Sequence, residues 1–393
     1  MRVTSCSLAH PDQGREQVYW PALLSAHILD RTRAPSFLLM GYRVIQWSTG
    51  HVGALALHGI IQHPDLELVG LWVHSEAKAG RDAGELCGLP PVGVAATNDA
   101  EALLALDADA VSYTATADLR PWEAVKDMCR ILESGKNVVS SSLVQLLHPP
   151  KADPAMVGRL EEACRAGGVS MFTSGIDPGF ANDLLPIVLT GFCERVDRVR
   201  IKEILNYATY DQPEVLFGTI GFGQPLDHTP LMLIPGALSY AWGGAINMIG
   251  DALDVEVTEL RERHEKASLD HDVDIGLGTV AAGTMAGLRF EVAGVVGGEE
   301  RIVVEHVTRV HDDVAPDWPR GHGQGYYRIE VAGSPSIGID LELVGEDGDH
   351  NTGGVLATAM RIVNAIPDVV AAPPGLLSTL DLPVTAGRHL MPQ

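Results

Sequence analysis

The sequence predicts an α/β protein, a doubly wound parallel sheet followed by an α+β domain with a mostly antiparallel sheet. Three observations carry this reading. From Tyr42 onward, short apolar runs alternate with stretches of helical spacing. After Cys193 the rhythm changes to long runs in which apolar and polar residues alternate, and a long apolar helical pattern follows near the end.

In chain order, Arg43–Trp47 reads as a buried strand, Val52–His63 as a helix and Leu66–His74 as a second strand. Ala100–Ala105 is a short helix with Asn98 or Asp99 as its cap. Ala110–Thr114 is a strand, Trp122–Ser134 a helix, Asn137–Ser141 a strand, Pro154–Ala166 a helix, Val169–Thr173 a strand and Asn182–Thr190 a helix. Strand–helix units of this length favour a doubly wound sheet. Val196–Tyr207 is a long strand, residues 211–235 a loop punctuated by Gly and Pro, and Leu238–Leu253 a helix. Thr284–Val296, Arg301–His311, Tyr326–Ala332 and Ile337–Leu343 alternate as half-buried antiparallel strands do. Gly353–Ile366 is an apolar helix expected to return to the first domain. The expected divisions are therefore 1–39, 40–192, 193–350 and 351–393. Residues 1–39 lack an apolar core with a small-residue cleavage site, so no secretory signal is expected. They read as a disordered arm or as sequence ahead of the true start, since Met40 directly precedes the first strand pattern.

Charge and cysteines narrow the function classes. The net charge is -23, from 51 acidic and 28 basic side chains, which repels phosphate backbones and anionic lipid. Nucleic-acid and membrane partners are not expected; no run approaches the roughly 20 apolar residues of a membrane span. Cys6, Cys87, Cys129, Cys164 and Cys193 are odd in number and scattered, which suits free thiols and the cytoplasm. No histidine spacing suggests a metal.

Arg43–Trp47 runs into Ser48, Thr49, Gly50, His51, Val52 and Gly53 and then a helix, which is the G-x-G-x-x-G context with Ser48 in place of the first glycine. Gly50 lets backbone approach a pyrophosphate, Gly53 lets helix pack on strand, and the helix N-terminus offers N–H groups to phosphate. This is the signature of a Rossmann domain binding a nicotinamide dinucleotide. At the end of the second strand, where NAD enzymes usually place an acid, stand His74 and Ser75, followed by Lys78 and Arg81. NADP is expected, with NAD the alternative; Lys78 and Arg81 could equally be a solvated loop. Thr114, Ala115 and Thr116 end one strand and Ser140 and Ser141 the next, where small polar residues either approach the cofactor or cap the following helices.

The stretches WSTGHVG (47–53), GRDAGELCGLPPVGV (80–94), TSGIDPGF (173–180), GFGQP (221–225) and VNAIPDVVAAPPGLLSTLDLP (363–383) together resemble the 2,4-diaminopentanoate dehydrogenase family. That family includes the native amine dehydrogenases and many actinobacterial proteins labelled dihydrodipicolinate-reductase-like. The resemblance spans Tyr42 to Pro383. It implies a Rossmann domain, an α+β substrate and dimerisation domain, a homodimer, and NAD(P)-dependent reductive amination of ketones or its reverse. Asn364, in the last motif, joins the expected cofactor contacts. The paired-histidine motif of true dihydrodipicolinate reductases is absent. One departure matters more: amine dehydrogenases of this type carry a catalytic glutamate after the fifth strand, and here Leu143 or Val144 stands in its place.

Glu203 is the best replacement, because it shares the apolar face of its strand with Val199, Ile201, Leu205 and Tyr207. A carboxylate there is either catalytic or a structural partner. His306 lies on the apolar face of its own strand, where a lone histidine is more often a hydrogen-bonded core residue. Asp177 ends a strand near the expected crevice, and Tyr210 and Tyr207 are candidate proton donors. His148 and Gln145 flank the place of the missing glutamate. The expected catalytic set is Glu203, Tyr210 and Asp177. The expected reaction is hydride transfer between NADPH and a C=N or C=O carbon of a small ketone, imine or amine. Plain ketone or aldehyde reduction and a non-catalytic dinucleotide sensor stay open as alternatives.

Overall fold

A computed structural model describes residues 41–321 and 323–391. The expected N-terminal arm lies outside the described residues. The first sheet contains β1 (Tyr42–Trp47), β2 (Leu66–Trp72), β3 (Ala96–Thr97), β4 (Ala110–Tyr113), β5 (Asn137–Ser140) and β6 (Ser170–Thr173). They are connected through α1 (His51–Gln62), α2 (Ala100–Leu104), α3 (Pro121–Glu133) and α4 (Pro154–Gly167). The order β6-β5-β4-β1-β2-β3 is parallel throughout. Its strands are apolar on both faces because helices cover both sides, as for Val44, Ile45, Val111, Val138 and Val139, all fully buried. Asp99 caps α2 by accepting from the Ala102 amide.

After α5 (Leu184–Thr190) the chain enters a second sheet through β7 (Arg195–Asn206), followed by α6 (Ala237–Ala252), β8 (Glu259–Ser268) and a small hairpin of β9 (Val273–Ile275) and β10 (Gly278–Val280). Strands β11 (Met285–Val296), β12 (Glu299–Arg309), β13 (Gly325–Ser334) and β14 (Ile337–Leu341) complete it in the order β14-β13-β7-β12-β11-β8. Only β7 and β12 pair in parallel. One face of this sheet is apolar and packs with α6, through Val199, Ile201, Phe290, Val304 and Ile329 against Trp242, Ile246 and Ile249. The other face carries charged pairs such as Arg200 with Glu291 and Lys202 with Glu330. Part of the expected loop 211–235 is wound into helical turns at Glu214–Ile220 and Leu231–Leu233.

The chain then returns to the first sheet. Helix α7 (His350–Val363) breaks at Asn364 and resumes as α8 (Ile366–Ala371), with Pro367 in the first turn of the new helix, where its missing N–H costs nothing. By length and composition alone, the stretch His350–Ala371 is apolar enough to cross a membrane, which corrects the expectation that no such run exists. Its apolar stripe of Ala359, Ile362, Val363, Ile366 and Val369 packs with Val44, Ala56, Ile60 and Phe172. Strand β15 (Gly375–Leu377) finally pairs in parallel with β6.

Candidate active site

The turn after β1 is built for close backbone packing. Ser48 has φ +87°, a conformation that suits the glycine usually found there. A Cβ on Gly53 would stand 2.5 Å from the Ser48 carbonyl oxygen and 2.6 Å from Thr114 Oγ1, so only glycine lets α1 approach this closely. Gly50, the cap of α1, faces open space and provides no side-chain cap. The first-turn amides of α1 are therefore left without a side-chain cap beside the open space at Gly50, which fits a pyrophosphate.

Several expected cofactor contacts also have partners within the turns. Thr114 is buried; its hydroxyl donates to the Trp47 carbonyl at 3.1 Å and accepts from Gln46 at 2.8 Å, so it braces the strand ends. Ala115 is buried, and its carbonyl accepts the Ser142 hydroxyl at 2.5 Å. Ser140 is fully buried and its hydroxyl accepts from the Ser142 amide, fixing a turn; Ser141 is half-buried and Thr116 exposed. Asn364 caps the far end of α7, six residues beyond Thr358 in the cavity wall, and its side-chain oxygen is buried without a hydrogen-bond partner. Lys78 folds back so that its ammonium donates to the Thr49 carbonyl (3.0 Å) and hydroxyl (3.1 Å). His74, Ser75 and Arg81 are exposed at the end of β2, and Glu76 is turned onto the Asn98 side chain at 2.7 Å. His51 sits 4.0 Å from Asp211, so the segment after β7 reaches the glycine turn.

Beyond that turn lies a cavity of about 200 Å³. Val52 from the first turn of α1 forms one wall, Asp177 and Ile176 a second, and Glu203, Tyr207, Tyr210 and Tyr327 a third. The three expected catalytic residues, Glu203, Tyr210 and Asp177, are thus brought together. Strand register explains the arrangement. Tyr327, Glu203, His306 and Phe290 are direct cross-strand neighbours on β13, β7, β12 and β11 and form one row on the apolar face.

His306 is the member of this row that sequence reasoning undervalued. Its Nδ1 lies 3.2 Å from Glu203 Oε1 and its Nε2 lies 3.3 Å from Asp177 Oδ1. Phe290 stacks on its ring at 4.6 Å, and Trp242 meets it edge-on at 4.6 Å while donating to Asp177 Oδ1 at 2.7 Å. Burial opposes a charge on His306, but Asp177 and Glu203 outweigh it and hold the imidazolium up to a pKa of about 10. Burial first, and Glu203 next, push the Tyr207 and Tyr327 phenols well above their ordinary range. Tyr207 accordingly stays protonated and donates to Glu203 Oε1 at 3.2 Å. Tyr210, pushed up by burial and Glu203, stacks on Tyr207 at 4.7 Å and accepts from Gln212 at 2.7 Å.

Among the described residues, two clusters of metal-capable groups exist that spacing along the chain did not reveal: His271, His311 and Asp313, and Asp177, Glu203 and His306. In the second, the two ring nitrogens of His306 face different carboxylates. The ring thus stands between the two carboxylates, each nitrogen paired with one of them. Gln145 and His148 do not face the cavity. Gln145 donates to the Tyr240 hydroxyl at 2.7 Å and His148 pairs with Asp251 at 2.8 Å, both on α6. Leu143, with φ +58°, is buried in the core beside the first sheet, and Val144 opens the next helical turn.

Comparison with known proteins bears on the family and the fold. Residues 180–391 match the family described as the 2,4-diaminopentanoate dehydrogenase C-terminal domain. An amine dehydrogenase of Streptomyces virginiae is 44% identical over 344 residues, covering 86% of this chain and 96% of that protein. A 2,4-diaminopentanoate dehydrogenase of Acetoanaerobium sticklandii is 28% identical over 257 residues, covering 65% of this chain and 68% of its own length. Among solved structures, an amine dehydrogenase from Mycobacterium smegmatis superposes with TM-score 0.69 at 21% identity, covering 88% of this chain and 97% of that one. A probable dehydrogenase from Thermotoga maritima follows with TM-score 0.54 at 17% identity, covering 86% and 92%. At those identities the structures speak for the fold.

Proposed function

The chain belongs to the 2,4-diaminopentanoate dehydrogenase family and is an NAD(P)-dependent oxidoreductase, and on that premise we propose that it oxidises small amines, or forms them by the reverse reaction. One observation carries the amine reading. Two carboxylates, Asp177 and Glu203, face a cavity whose lining residues include tyrosines but no Lys or Arg. Such a wall favours a cationic nitrogen over a substrate carboxylate. The preferred substrate is therefore a simple amine rather than an amino acid.

The cradle at Gly50 and three orphaned buried atoms around the cavity, Asp177 Oδ2, His350 Nδ1 and Asn351 Oδ1, fit a bound nicotinamide dinucleotide with a polar ring substituent and a polar substrate. When bound, that group accepts or returns a hydride at its nicotinamide ring. The bound ammonium first gives one N–H proton to a carboxylate of the pair. The amine carbon then gives up a hydride and becomes an iminium carbon, to which water adds, and the ketone forms as the nitrogen departs as ammonium. Asp177 and Glu203 stabilise the positive charge that develops on nitrogen as the C–H bond breaks. Tyr207 holds Glu203 by its hydroxyl, and the aromatic wall limits water around the reacting carbon.

NADP is the cofactor this reading favours, because His74 and Ser75 directly follow β2, Glu76 is turned onto Asn98 and Lys78 stands beside Thr49. A homodimer belongs to the reading too. The face of the second sheet turned away from α6, where Arg200, Lys202, Glu291 and Glu305 are ion-paired within the chain, is the surface on which it would form.

The test is amine-dependent reduction of the nucleotide, and ketone reduction with and without ammonia. Glu203→Gln is expected to lower kcat for amines about 10²-fold while nucleotide affinity is kept. Ketone turnover that ignores ammonia would instead favour alcohol formation, with the Tyr210 phenol as donor.

A further inference from the structure

The row of side chains across the second sheet holds more charge than amine binding needs. Asp177 and Glu203 bring two negative charges to one buried place, whereas a protonated amine or an iminium brings one positive charge. Two carboxylates so close do not both stay ionised without compensation. We propose that His306 is the positioning residue that sets the charge of this site, cancelling one carboxylate and holding both in place, so that one net negative charge remains for one cationic nitrogen. The inference rests on the amine reading above and deepens it.

Geometry supports each part. The imidazole stands between the carboxylates, with one ring nitrogen toward each, at 3.2 Å and 3.3 Å. Phe290 and Trp242 clamp the ring on two sides, and the side chains of His306 and Glu203 are each only 5% exposed. The ring therefore cannot swing out to solvent. The titratable groups facing it are Asp177 from the segment after β6 and Glu203 from its neighbouring strand. The phenols of Tyr207 and Tyr327 bear on Glu203 from β7's end and from β13. Trp242 on α6 and Phe290 on β11 complete the surround without charge. His306 itself is absent from the cavity lining, whereas both of its partners are present. It acts through them and does not touch substrate.

The physical consequence is a pH effect with a definite sign. Without the imidazolium, each carboxylate is repelled by the other in a buried setting, so one takes up a proton at a higher pH than before. The site becomes less negative, and amine binding should suffer more than the hydride step.

His306→Gln keeps hydrogen-bonding capacity but removes the charge. For this variant the acid limb of kcat/KM for amine oxidation is expected to move up by about one pH unit or more, and KM for the amine to rise about tenfold with a smaller change in kcat. Nucleotide affinity, read by tryptophan fluorescence, should be retained. A merely structural role would lower thermal stability and leave the acid limb in place. Independently of turnover, nitrogen NMR of histidine-labelled protein, with the His306 signal identified by its loss in His306→Gln or His306→Asn, should show a charged ring at pH 8. A neutral ring there, or an unmoved acid limb in a folded variant, overturns the inference. Failure of the wild-type enzyme to turn over any amine, with His306 charged, would sink the amine reading and leave the charge assignment standing.

Discussion

At Gly53 a single hydrogen atom decides whether the first helix can meet the first strand. A methyl group there collides with the Ser48 carbonyl and the Thr114 hydroxyl, and neither yields easily, because Ser48 is backbone and Thr114 is tied to Trp47 and Gln46. Gly53→Ala must therefore lift the first turn of α1 away from the strand and misplace the amides that face the cradle. Calorimetry is expected to show nucleotide affinity at least about tenfold weaker, with the protein still folded, since a shift of this kind spoils positioning before it spoils the core. Unchanged affinity would mean that phosphates bind elsewhere. The same scale separates roles that sequence alone had merged. The Thr114 and Ser140 hydroxyls, expected by position either to approach the cofactor or to cap, bond to groups of the turns they border.

Among the elements, the end of β2 bears on cofactor choice. Lys78 is held on Thr49, so its charge lies beside the glycine turn rather than free in the loop. Lys78→Ala is expected to raise KM for NADP about tenfold and for NAD much less, measured by steady-state kinetics with both nucleotides. Equal effects would assign Lys78 to the turn alone. The elements also show what a sequence can and cannot express. β1, α1 and β4 to β6 were legible because fully buried parallel strands are apolar runs and their helices carry a clear stripe. β8 was not, since an edge strand blunted by Glu259, Arg261, Glu262, Arg263, Glu265 and Lys266 has no apolar alternation to read. β3 and β15 are too short to have a period. Within the site, the apolar-face positions of Glu203 and His306 were both visible, but their meeting was not. It depends on the register of a parallel pair between distant strands, and on a loop that brings Asp177 to the opposite ring nitrogen. Distance along the chain hides such a row; alternation within each strand was the available signal.

For the molecule as a whole, the decisive feature is where the two sheets contribute to one cavity. The first sheet and α1 supply the turn at Gly50 and Val52; the second supplies carboxylates, phenols and the clamp around His306; α7 closes the space with His350, Asn351 and Thr358. His350 and Asn351 are bound to the Asn206 carbonyl at the end of β7, at 2.6 Å and 3.0 Å, so the returning helix is fixed to the second sheet while its apolar stripe packs with the first. Neither sheet alone lines this cavity. The most direct measurement is turnover of an amine carrying deuterium on the carbon that bears nitrogen, with oxidised NADP and the wild-type protein. The account predicts that deuterium appears on the nicotinamide ring of the reduced nucleotide and that ammonia is released in equal amount. Folded, nucleotide-bound protein that moves no deuterium from any simple amine would contradict it.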